Sequence, residues 1–124
     1  KRDPQLFREI LLKCEAHEHG YAPMNLKIDG YTEEQVGYHV HLLGDAGYMD
    51  VISMNSFRSN KSPNAKPRSI THSGHEFLDV IRDDEVWKTT KGVIAKTGGW
   101  TLGVIASVAT QIVTRQAMAA IGSG

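Results

Sequence analysis

Six histidines, one cysteine and a cluster of carboxylates are the residues of this 124-residue chain that could do chemistry. Histidine is the commonest metal ligand and titrates nearest to neutral pH. His17 and His19 fall at the end of an amphipathic stretch. His39 and His41 are two apart, so on a helix they point to different faces and cannot chelate one ion. His72 and His75 are three apart and can share a face. His75-Glu76 opens like the zinc-protease signature, but Asp79 stands where the second histidine belongs. With Cys14 alone to add, no ligand set is complete, so neither a metal nor another cofactor is expected. His39 and His75 are expected to make structural hydrogen bonds.

The remaining groups also fall short of an active site. Cys14 recurs with Leu6, Phe7, Ile10 and Leu11 on one helical face and reads as a small core hydrophobe. A reactive thiol needs open, cationic surroundings. A lone cysteine also excludes an intramolecular disulfide. Asp79, Asp83, Asp84 and Glu85 read as a solvated helix end. Gly44 to Gly47 is not followed by the lysine of a phosphate loop. No segment offers a nucleophile elbow. The chain is therefore expected not to be an enzyme.

Charge offers a different chemistry. The net charge is zero, but residues 1–50 carry a net of −4 and residues 51–75 a net of +4. Arg58, Lys61, Lys66 and Arg68 have no acid among them, and such a run either contacts phosphates or keeps a loop solvated. Duplex DNA is thus a possible partner, with these four positioning the backbone. Gln35, Tyr38 and His41 would then supply base contacts. Glu33 and Glu34 stand at the start of the same helix, where they suit its dipole but repel phosphate.

These residues need elements to hold them. Asp3-Pro4 starts a helix that ends between His17 and Gly20. Asn25 to Ile28 is a short strand candidate. Thr32 and Gln35 form a capping box, with Tyr31 and Val36 as a hydrophobic staple. In the helix that follows, Val36, Val40 and Leu43, with Leu42 and Ala46, face inward, and Glu34, Tyr38, His41 and Asp45 face out. Gly47 is its left-handed cap. Tyr48 to Ser53 is a strand, residues 55–67 are a loop, and Arg68 to Ile70 returns as a strand. Thr71 or Ser73 caps a helix that buries Phe77, Leu78 and Ile81 and ends near Asp83-Asp84.

That order, with VGYHVHLLGDAGYM at 36–49 and ITHSGHEFLDVI at 70–81, resembles a winged helix. The first segment is similar to the recognition helix and first wing strand of several bacterial repressor families. The resemblance is closer to a family of short bacterial and phage proteins, domain of unknown function 2513. It rests on Lys1-Arg2-Asp3, Gly30 to Tyr48, Ile70 to Trp87 and Gly98-Gly99. It implies an α+β fold, mostly α: a winged-helix core with a two- or three-stranded wing sheet and extra C-terminal helices. It also implies a small DNA-binding regulator of phage or mobile-element type. Residues 1–84 would be the winged-helix-like domain and residues 85–124 a helical extension.

The extension supports a second reading. Residues 100–121 are largely apolar, with Gln111, Arg115 and Gln116 as interruptions. Ile105, Val108, Ile112 and Ala119 line a stripe suited to self-association or docking on a protein partner. The chain would then be a non-enzymatic adaptor. A membrane span wants about twenty apolar residues, which these interruptions disfavour, and a membrane-active protein is the weakest reading. The start KRDPQLFREI lacks the apolar core of a secretory signal, so a cytoplasmic protein is expected.

Overall fold

Asp3 and Pro4 begin the first helix for the reasons their types provide. In the computed structural model, which describes residues 2–17, 21–23, 25–54 and 63–122, α1 runs Pro4–Ala16. Asp3 is its N-cap, and Asp3 Oδ1 accepts the Gln5 amide at 2.9 Å. Helix α2 runs Glu33–Asp45 behind the capping box. The Gln35 amide donates to Thr32 Oγ1 at 3.1 Å and the Thr32 amide donates to Gln35 Oε1 at 2.8 Å. Its far end closes as a Schellman motif. The Tyr48 amide donates to the Leu43 carbonyl and the Gly47 amide to the Gly44 carbonyl, both at 3.0 Å, with Gly47 at φ +81°.

The two helices pack together, burying Leu6, Phe7, Ile10, Leu11 and Cys14 of α1 and Val36, Val40 and Leu43 of α2. Burial of a large apolar side chain contributes about 1.5–3 kcal/mol. Leu42 is only half-buried and Ala46 is exposed, so the inward face of α2 is narrower than its apolar residues suggest. His39 takes the vacated arc, buried against Phe7 with ring centroids 4.8 Å apart.

Strands β1 (Met49–Ser53) and β2 (Ala65–Ile70) form one antiparallel pair, with Met49 opposite Ile70 and Ser53 opposite Ala65. The register slips between Asp50 and Val51, whose partners are Ser69 and Pro67, leaving Arg68 as the extra residue of a bulge. The bulge lets Pro67, expected in the loop, sit inside a strand without breaking the ladder. Asn25 to Ile28 is not a strand. Ile28 instead anchors a turn by side-chain burial, its carbonyl accepting the Tyr31 amide at 3.2 Å, with Gly30 at φ +86°. Strand β2 takes one bond from the chain before this segment, Ala22 N–H to the Arg68 carbonyl at 2.9 Å. Among the described residues the sheet therefore has two strands.

Close approach explains two glycines. A Cβ on Gly37 would strike the Asn64 side-chain amide, and one on Gly74 would strike the Tyr48 carbonyl. Thr71 caps helix α3 (His72–Ile81), accepting the Gly74 amide at 3.1 Å and donating to the Gly47 carbonyl at 2.6 Å.

The chain divides within α3 into two compact units, Lys1–Glu76 and Phe77–Gly124. The second holds the end of α3, then α4 (Asp84–Thr97) and α5 (Leu102–Gly122). Asp83 caps α4, accepting the Val86 amide at 3.0 Å, and Gly98 ends it at φ +76°. Thr101 starts α5, accepting the Val104 amide at 3.1 Å. Helices α4 and α5 pack together, with Ile94, Ile105 and Ala109 buried.

Candidate interaction surfaces

The outward arc of α2 carries Glu34, Gln35, Tyr38, His41, Leu42 and Asp45, at the spacing that puts them on one side of a helix. It is acidic, since α2 contains no lysine or arginine. Gln35 is exposed, but its side-chain oxygen is committed to the capping box. His41 Nε2 lies 3.2 Å from Asp45 Oδ2, and Tyr38 is half-buried with its ring edge-on to His39 at 5.7 Å. Lys66 and Arg68 are exposed on β2. Arg68 Nη1 is 3.7 Å from Asp50 Oδ2. Lys66 lines an open groove of about 260 Å³ with Lys27, Glu33 and Gly37. Tyr38 and His41 do not line that groove. Arg58 and Lys61 lie outside the described residues, as does His19. The structure thus places Lys66 and Arg68 on the hairpin, where Lys66 shares a groove with Glu33 and Gly37 of α2 while Tyr38 and His41 lie outside it.

The groups with catalytic potential are dispersed. Burial pushes the Cys14 thiol up to about 12, which keeps it protonated and poorly nucleophilic. His72 Nε2 sits 3.0 Å from Glu76 on an exposed surface, and His75 is also exposed. His17 Nδ1 lies 2.7 Å from the Tyr21 carbonyl. Asp79 meets Arg82 at 3.0 Å, and Asp83 is a helix cap. No three His, Cys, Asp or Glu side chains converge as a metal-binding group among the described residues.

Helix α5 contrasts with both. Its 21 residues are long and apolar enough to cross a membrane, yet only 11% of its most apolar window is buried. Of the stripe read from the sequence, Ile105 is already buried, Val108 and Ile112 are half-buried and Ala119 is exposed. From Thr114 to Gly122 every residue is exposed, including Met118 at 63% and Ile121 at 74%. Met118 and Ile121 were absent from the expected stripe because they lie off the face that continues from Ile105. Only the length of α5 relative to its covering shows that they stand in solvent.

A family model described as "Hypothetical protein (DUF2513)" matches residues 1–100. The chain belongs to this family. A relative, an uncharacterized protein of Haemophilus influenzae, is 37% identical over 119 residues, covering 93% of this chain and 97% of its own length. No solved structure matches the chain. The family match includes the capping box, the hairpin and the Thr71 cap, and it stops before α5 begins at Leu102.

Proposed function

We propose that this DUF2513 chain is a non-enzymatic interaction adaptor that associates with a second copy of itself through α5. One observation carries the reading: a regular 21-residue apolar helix leaves its last nine residues, Thr114 to Gly122, exposed. Contiguous exposed apolar surface favours burial against a partner. Ala117, Ala119 and Ala120 allow a second helix to approach closely. Helix α2 supports the reading from the other side, because its acidic arc is a poor match for phosphate.

Light scattering after size exclusion tests this directly. The wild-type chain is expected to run as an oligomer, and Met118→Gln with Ile121→Gln as a folded monomer. A wild-type monomer at all concentrations sinks the proposal.

A second reading draws on the length of α5. At 1.5 Å per residue, 21 residues span about 31 Å, close to the roughly 30 Å of a bilayer core. Arg115, Gln111 and Gln116 lie within it and would be costly in lipid. Flotation with liposomes separates the two readings. A duplex arm with increasing salt tests the DNA reading, for which Lys66→Ala with Arg68→Ala should remove binding.

A further inference from the structure

His39 is a titratable group held on both ring nitrogens, and neither proposed interaction uses it. It is 1% exposed, yet both ring nitrogens are satisfied. Nδ1 lies 2.8 Å from the Gln35 carbonyl, which can only accept, so Nδ1 carries the proton. Nε2 lies 2.8 Å from the Asp3 amide, which can only donate, so Nε2 is bare. These partners permit one neutral tautomer and exclude the imidazolium.

The contact with Asp3 sits at a junction. The Asp3 carbonyl accepts the Leu6 and Phe7 amides at 3.1 and 3.3 Å, opening α1. Its carboxylate takes the Gln5 amide through Oδ1 and the Tyr31 hydroxyl through Oδ2, each at 2.9 Å. One residue therefore ties the start of α1 to α2 and to the turn before it. Among the described residues, the cleft beside His39 presents one cation, Arg2, one anion, Asp3, and the phenol of Tyr31, while α2 adds the ring edge of Tyr38. Burial, with the Asp3 hydrogen bond, pushes the Tyr31 phenol up to about 12, so it stays a donor. Asp3 is the one anion available to an imidazolium, and both its oxygens are already engaged.

We propose that His39 is an acid-operated latch on the start of α1, holding the Asp3 amide when neutral and expelling it when protonated. Protonation would set Nε2–H against the Asp3 N–H, donor against donor. An imidazolium that turned to the Asp3 carboxylate would take it from Gln5 or Tyr31. Either course undoes the junction. Desolvation lowers the His39 pKa below its ordinary 6.5, outweighing the Gln35 and Asp3 contributions, which raise it. The unfolded chain therefore binds the proton first. The stability that neutral His39 provides is complete above 6.5. It falls as pH drops from there towards the folded-state value.

Nitrogen-edited NMR of the full chain across this range is the test. At neutral pH the His39 ring should show the Nδ1–H tautomer. On acidification its titration should share one midpoint, below 6.5, with the Asp3, Gln5 and Tyr31 amide shifts. Between 6.5 and that midpoint, protection of the Leu6 and Phe7 amides should fall by up to about tenfold per pH unit and level off below it. His39→Gln retains an acceptor and should abolish the shared midpoint. An Nε2–H tautomer at neutral pH would overturn the proposal. So would a His39 titration that leaves the Asp3 and Tyr31 amides unmoved, or a midpoint that survives in His39→Gln. If His39→Gln does not fold, the wild-type tautomer and coupled midpoint decide the matter alone.

Discussion

The first unit and helix α5 treat their surfaces in opposite ways. In residues 1–76, polar groups near the core find partners in pairs: Thr32 with Gln35, Asp3 with His39 and Tyr31, Thr71 with Gly47 and Gly74. Among the described residues no buried side-chain nitrogen or oxygen lacks a partner. Helix α5 has regular geometry and a proper start at Thr101, but its last nine residues, Thr114 to Gly122, are exposed. Among its described residues the first unit satisfies its buried polar side chains internally. Helix α5 is complete as a helix and leaves Met118 and Ile121 in solvent.

Mutations can break or sharpen this contrast. The largest effect is expected in the first unit, where Leu43→Ala removes a fully buried side chain. It should cost about 2–5 kcal/mol in denaturant unfolding. Ile121→Ala, also a large apolar truncation, should change stability by less than about 0.5 kcal/mol while weakening association. Equal losses at both sites would end the comparison. Gly37→Ala should cost about 1–3 kcal/mol, because its new methyl meets the Asn64 amide. Adding Asn64→Ala should recover part of that loss in a double-mutant cycle. Thr32→Ala, which opens the capping box, should cost about 1 kcal/mol. Arg68→Ala should fall between about 0 and 0.5 kcal/mol, since its pair with Asp50 is exposed on both sides. Cys14 offers a check without mutation: its alkylation should await unfolding in the first unit, where its thiol is buried and held protonated.

Legibility from sequence followed the range of the forces involved. Capping is local, so Asp3, Thr32 and Gly47 could be assigned from neighbours a few residues away, and the cap of α3 narrowed to Thr71 or Ser73. The apolar periodicity of α1 was equally legible, because five residues recur on one face. Asn25 to Ile28 misled because a short β-branched or apolar run is equally consistent with a strand and with one anchored turn, and the choice depended on β2 lying alongside. Pro67 misled because a bulge, visible only once two strands are paired, makes room for it. The candidate interaction residues were the least legible. Gln35 reads as an available amide until its role in the cap is counted, and His41 reads as free until Asp45 is placed beside it.

By itself the sequence determined where α1 and α2 start, which face of α1 is apolar, and that α5 is long and weakly polar. Those properties arise from hydrogen bonds and side-chain periodicity within a few turns. The tertiary structure decided that His39 is a buried, doubly bonded ring, that a side chain at Gly74 would strike the Tyr48 carbonyl, and that α5 outruns its cover. These depend on distances between segments remote in the chain, 36 residues in the case of Asp3 and His39, and no local pattern of residues specifies such a distance.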